Sequence, residues 1–189
     1  MPTPHRTSLD AIVTAASELL EEAGLAGITM QAVADRVGVR APSLYKRVTS
    51  REQVIRLVAE SALTELGRRT ENAEGAEQLA DALRAFGHER PAAFHLVLTP
   101  AAGTPVGADA FRVAATAGIL RVATELAGPE DALAAARTLT AWAAGFITME
   151  LGGSFKLGGD VDHAWRFGLA RITAAMTAAG SGERDTPRD

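Results

Sequence analysis

Apolar residues recur at three- and four-residue intervals along almost the whole chain, a spacing that admits helices and little else. Leu9, Ile12, Val13, Ala16, Leu19, Leu20 and Ala23 trace one face of a helix with 3.6 residues per turn. No convincing stretch alternates apolar and polar residues with period two, so the expected class is all-α. Thr7 or Ser8 can cap this first helix, and Gly24 can end it. Thr29 caps a short second helix, about Met30–Val37, which Gly38 stops. Pro42 suits the first turn of a third, about 41–47, because the amide hydrogen it lacks would have no partner there. Ser50 caps a longer fourth, about Arg51–Thr70.

Beyond Glu71 the chain turns alanine-rich, with further helices expected over 76–89, 91–98, 108–127, 130–151 and 161–179, about nine in all. The loop 99–107, with Pro100, Gly103, Pro105 and Gly107, is the clearest break in this half. Residues 1–66 and 71–179 therefore read as two domains joined by the fourth helix. Residues 180–189, rich in Gly, Ser, Pro and charge, are expected to form a disordered tail.

With 47% hydrophobic residues the chain can bury a core. It has no cysteine, which excludes disulfides, thiolate metal sites and cysteine nucleophiles. The polar start with Pro2 and Pro4 has no apolar core for a secretory signal, and no window approaches a membrane span, so a cytoplasmic protein is expected. The net charge is −4, which taken alone argues against a nucleic-acid partner. Its distribution argues the other way. Arg36, Arg40, Lys46, Arg47 and Arg51 lie in a run with no acidic residue, whereas 13 basic and 18 acidic residues follow Arg51. A basic patch on an acidic body suits local phosphate binding and limits non-specific adhesion.

Two short helices joined at Gly38 suggest a helix-turn-helix. The residues strengthen this. Ile28-Thr29-Met30-Gln31-Ala32-Val33-Ala34, then Gly38-Val39-Arg40-Ala41-Pro42-Ser43-Leu44-Tyr45-Lys46-Arg47-Val48 and Ser50-Arg51-Glu52, closely resemble the tetracycline-repressor (TetR) family over about residues 8–66. The remainder resembles one of the family's regulatory-domain subtypes, through Ala85-Phe86, Arg90-Pro91, Phe94 and the segment Trp142, Gly145-Phe146, Glu150-Leu151. The resemblance implies a homodimeric repressor that grips operator DNA through the motif at about 29–48 and is released by a small-molecule effector.

Each matched position has a physical task. Ala32, Val33, Val37 and Leu44 are expected to face inward and set the angle between helices two and three. Thr29 and nearby Gln31, at a helix N-terminus, can meet a phosphate. Arg40, Ala41, Ser43 and Lys46 are placed to enter the major groove, with Pro42 offering apolar surface to a thymine methyl. Tyr45 resembles the family tyrosine whose hydroxyl holds a phosphate, and Arg51 stands where the family uses a basic residue likewise. Lys46 and Arg47 are neighbours in sequence and point different ways on a helix. Val48 stands where the family usually has phenylalanine, which predicts looser packing behind the recognition helix. Arg47 replaces a more common histidine or aromatic residue.

Catalytic and metal chemistry find no support in the sequence. His5, His88, His95 and His163 form no H-E-x-x-H pattern, and Pro91 starts a new element between His88 and His95. The segment 152–159 is glycine-rich but lacks the Gly-Lys-Ser/Thr ending and joins two helices, so it reads as a connection rather than a phosphate loop. No base and acid accompany Ser154. No enzyme, cofactor or metal is expected.

A single helix-turn-helix reads too few base pairs for selectivity, so pairing of two copies is expected. Trp165, Leu169, Ile172 and Met176 give the last helix an apolar stripe, and Leu139, Trp142, Phe146 and Met149 give its predecessor another. These stripes serve a dimer seam or their own subunit's core. A ligand pocket is expected among the middle helices, with Phe86, Phe94, Leu98, Phe111, Trp142, Phe146 and Met149 as apolar candidates and Arg112, Thr148 or Glu150 supplying polarity.

Overall fold

The computed structural model describes residues 8–182, and within them every regular element is helical. In chain order they are α1 (Leu9–Gly27), α2 (Met30–Val37), α3 (Ala41–Leu44), α4 (Arg51–Thr70), α5 (Gly75–Glu89), α6 (Pro91–Leu98), α7 (Asp109–Leu151) and α8 (Val161–Gly182). Ser8 Oγ accepts the Ala11 amide at 3.1 Å and caps α1; Thr7, the other candidate, lies outside the described residues. Gly24 does interrupt α1, at φ 64° and ψ −168°, but one further turn follows it to Gly27. The two helices expected over 108–127 and 130–151 are both present and meet at Gly128, whose φ of 81° and ψ of 169° are non-helical, just before Pro129; the pair is labelled together as α7. That junction accounts for eight elements in place of about nine. The third helix is shorter than expected, giving way to a turn over 45–47. The last helix continues to Gly182, past the start of the expected tail; 183–189 lie outside the described residues.

The chain forms two compact units that do not follow the sequence in simple order. The first holds the residues up to Glu65 together with Arg90–Arg112, and the second holds Leu66–Glu89 and the residues from Val113 onward. α4 is one helix whose last turns count with the second unit.

In the first unit, Ile12, Leu19 and Leu20 of α1 are buried with Val33, Leu44, Val48, Val54 and Ile55. α6 is held here by a carboxylate from α1. Glu21 accepts the Ala92 and Ala93 amides at 2.9 and 3.0 Å, satisfying donors that a helix N-terminus leaves free, and Arg90 pairs with both Glu21 and Glu65. This explains why a segment distant in sequence sits with the N-terminal helices. In the second unit, Leu79, Leu83 and Phe86 of α5 are buried, as are Ile119, Val122, Leu139 and Ile147 of α7 and Trp165 and Leu169 of α8. Gly118 and alanines at 115, 123, 127, 132, 135, 136, 143 and 144 fill the remaining buried positions of α7.

Candidate nucleic-acid interface

The helix-turn-helix is assembled by short-range hydrogen bonds that the sequence supplies in order. Thr29 Oγ1 caps α2 by accepting the Ala32 amide at 3.1 Å. Gly38 ends α2 in the left-handed region (φ 75°, ψ 37°), where a side chain would be strained. Its amide and that of Val39 return to the last carbonyls of the helix, so the chain reverses within two residues. α3 begins at Ala41-Pro42, and Ser50 with Gln53 caps α4: Ser50 Oγ accepts the Gln53 amide, and Gln53 reaches back to the Thr49 amide at 2.6 Å. Inside, Val33, Ala34, Leu44 and Val48 are fully buried. Ala32 and Val37, expected inside, are only half-buried, and Ala34 takes the interior place. Val48, smaller than the family's usual phenylalanine, is nonetheless sealed from solvent.

The five cations of the basic run divide sharply. Arg36 turns away from α3 and reaches Glu18 at 3.0 Å and Glu22 at 2.6 Å on α1. Its hydrogen bonds with those carboxylates favour the charged form, raising its pKa and holding Glu22 below the usual carboxylate range. Arg51 turns inward too. Its Nε donates to the Ile28 carbonyl at 2.6 Å and its Nη2 to the Leu25 carbonyl. The fork expected to meet a phosphate thus ties the start of α4 to the turn preceding α2. Arg40, Lys46 and Arg47 remain exposed and have no ion-pair partner among the described residues. Tyr45, 55% exposed, stands beside them, with Pro42 exposed and Ala41 and Ser43 half-buried on α3. Gln31 lies exposed on the first turn of α2, its side-chain amide donating to Asp35 at 2.7 Å. An aromatic hydroxyl and three uncompensated cations around a short helix can hold a polyanion, and the half-buried small residues between them allow close approach.

The expected pocket residues are divided between the two units. Phe94, Leu98, Phe111 and Arg112 belong to the first unit, and Phe86, Trp142, Phe146 and Met149 to the second. Phe86 and Phe94 are fully buried core. Trp142 instead stacks on Trp165 with ring centroids 4.7 Å apart, and Phe146 meets Trp165 at 5.2 Å and Phe155 at 4.7 Å. Gly168 of α8 makes room for this, since a Cβ there would fall 2.7 Å from the Trp142 ring. The polar candidates are already engaged or enclosed. Arg112 pairs with Asp109, Glu150 takes Arg84 at 2.5 Å and His88 at 3.1 Å, and Thr148 Oγ1 is buried with no hydrogen-bond partner among the described residues.

The expected dimer stripe also needs correction. Trp165 and Leu169 are 2% and 6% exposed and Leu139 is equally enclosed, so all three pack within their own subunit. Ile172 and Met176 are half-buried and line a shallow groove of about 390 Å³ between α7 and α8, with Ala134, Thr138 and Ala175. Large apolar side chains are left uncovered on these two helices at Phe111, Val113 and Leu120 in the first half of α7, at Leu133 and Met149 in its second half, and at Phe167 on α8. Sequence reasoning overlooked Leu133 and Phe167, because they sit off the stripe that periodicity picks out.

Residues 12–58 match the family described as bacterial regulatory proteins, tetR family. Residues 76–172, more than half of the chain, match the tetracyclin repressor-like C-terminal domain. Over 60 residues the chain is 34% identical to the tetracycline repressor protein class C of Escherichia coli, a stretch covering 32% of this chain and 27% of that protein. The chain thus spans about a quarter of that relative's length in the match. In fold it is similar to the transcriptional regulator SCO7222, a TetR from Streptomyces coelicolor (TM-score 0.73, 19% identity, 92% of this chain and 99% of that one). It is also similar to a variant of TetR from Acinetobacter baumannii AYE in complex with minocycline (TM-score 0.64, 22% identity, 89% and 95% covered). The chain belongs to the tetracycline-repressor family of bacterial regulators.

Proposed function

We propose that this protein is a sequence-specific DNA-binding transcriptional regulator. It acts as a homodimeric repressor in the cytoplasm, released from a pseudo-palindromic operator by a small-molecule effector. The observation that carries the reading is the unpaired cationic face of α3: Arg40, Lys46 and Arg47 exposed beside Tyr45, while the other two cations of the same run are consumed internally. Arg40, Ser43 and Lys46 read base edges in this proposal, and Ala41 and Pro42 allow close contact with them. Thr29, Gln31 and Tyr45 hold phosphates. Arg51 serves by fixing the turn before α2 rather than by meeting phosphate directly. The exposed Leu133, Met149 and Phe167, with the groove at Ile172 and Met176, form the seam that pairs two copies. Half-site centres then lie about one helical turn, ~34 Å, apart.

Binding-site selection, started from the DNA upstream of the protein's own gene, tests this. Lys46→Ala or Arg40→Ala should change the preferred base at particular positions, by ~1–3 kcal/mol where a bidentate contact is lost. Tyr45→Phe should weaken all sequences by about fivefold and leave preference intact. A protein that selects no sequence, or protects an asymmetric site as a monomer, is instead a helical ligand-binding or dimerisation scaffold.

A further inference from the structure

The first unit holds a cavity that DNA contact does not use. It is a solvent-open cleft of about 360 Å³ between the C-terminal end of α1 and α6, walled chiefly by Leu20, Leu25, Ala92, Leu96 and Pro100. That volume lies in the range of small-ligand sites. None of its lining residues is Asp, Glu, Lys or Arg, so a charged guest would lose hydration with nothing to replace it. Its polar side chains are Thr104 and a pair one turn apart at the end of α6, where His95 Nδ1 lies 2.9 Å from the Oγ1 of Thr99, the residue that caps the helix. The pair satisfies one ring nitrogen, while His95 Nε2 has no hydrogen-bond partner among the described residues.

The walls are attached to the DNA-binding helices by specific bonds. α6 is pinned at its N-terminal end by Glu21, which accepts the amides of Ala92 and Ala93, and the cavity runs along the helix from Ala92 through Leu96 to its Thr99 cap. On the α1 side the wall includes Leu25, whose carbonyl accepts from Arg51, the first residue of α4. The same guanidinium holds Ile28, the residue before the cap of α2. A guest that spreads α1 from α6 therefore pulls on a bond that sets where α2 and α4 begin.

We propose that this cavity binds a small, uncharged, largely apolar molecule carrying one hydrogen-bonding oxygen, and that occupancy is coupled to the helix-turn-helix through Leu25 and Arg51. The coupling rests on the DNA-binding reading above; the site itself does not. Occupancy shifts DNA affinity only insofar as the guest prefers one arrangement of the two helices.

The test uses the full chain with methyl-labelled leucine and 2-naphthol as probe, with 2-naphthoate as its charged counterpart. Saturable shifts of the Leu20, Leu25 and Leu96 methyl resonances with 2-naphthol, and none with 2-naphthoate, are expected. His95→Phe should weaken the probe about fivefold, the worth of one neutral hydrogen bond. Ala92→Phe, which puts a ring into the space, should abolish the shifts. With selected operator DNA, saturating probe should change the Kd at least fivefold. Silence at the three leucines, or shifts confined to Leu79, Leu83 and Leu139 of the second unit, overturns the site. Binding that leaves operator affinity unchanged overturns the coupling. A chain that binds no DNA even without probe sinks the functional reading while the methyl shifts still decide the site.

Discussion

The helix-turn-helix and the α7–α8 pair solve opposite problems at their surfaces. Around α3 the apolar residues are sealed and the cations are left unpaired: Leu44 and Val48 are buried while Arg40, Lys46 and Arg47 face solvent. On α7 and α8 large apolar groups are exposed, and two of their carboxylates are neutralised by an arginine of α5. Arg84 pairs with Glu150 at 2.5 Å and Asp162 at 2.6 Å and lies over the Trp165 ring, while Phe167 and Leu133 are 56% and 54% exposed. Unpaired cations gain from a polyanion that sheds its counterions, and exposed apolar side chains gain from a partner that removes them from water. The two faces therefore suit different partners, and ionic strength should separate them.

Salt gives the largest effect. If a dimer neutralises six to ten phosphates, operator affinity should fall by ~10³–10⁵ between 50 and 200 mM salt, whereas subunit pairing should change by less than about tenfold. Fluorescence anisotropy on labelled operator and sedimentation of the free protein measure the two slopes. Equal slopes would erase the distinction between the faces.

Next come substitutions on α8, which separate core from seam. Leu169→Ala should cost ~2–5 kcal/mol of stability, because the residue is buried within its own subunit and its loss leaves a cavity. Leu169→Glu should unfold the second unit rather than yield folded monomers. Phe167→Glu, two residues earlier, should keep the helical circular dichroism and the melting temperature but sediment as a monomer. A Phe167→Glu protein that remains dimeric would move the seam off this helix.

Acid gives the smallest effect. The hydrogen bond from Arg84 holds the Glu150 carboxyl below its ordinary value of 4.5 in the folded state. A lowered folded pKa contributes stability that is complete above the unfolded pKa and is lost as pH falls through the folded one. Denaturant midpoints should thus be flat above about pH 5 and decline below it, and Arg84→Gln should flatten that decline. An unchanged acid limb in Arg84→Gln would show that this pair does not govern the second unit's acid response.

How far the sequence could be read differs along the same lines. The edges of α2 and α4 were legible because caps and stops are local: Thr29, Gly38 and Ser50 act on amides within a few residues of themselves. The all-helical class and the position of the recognition helix follow from the same short-range chemistry. What each arginine does was not legible. Arg36, Arg40 and Arg51 are alike in composition and spacing, yet two of them are spent on Glu18, Glu22 and the carbonyls of Leu25 and Ile28. Those partners are brought within reach only when α1 packs behind α2 and α4. The stripe Trp165, Leu169, Ile172, Met176 likewise announced an apolar face without saying what covers it, and the structure divides it between core and groove. The placement of α6 with the N-terminal helices depends on Glu21 meeting amides some seventy residues away, at Ala92 and Ala93. By itself the sequence determined where helices begin, where they end and which side of each is apolar, since those depend on hydrogen bonds and side-chain directions within a turn or two. Only the tertiary structure decided which cations stay free and which apolar faces stay bare, because burial and pairing are properties of neighbours that the chain brings together by folding.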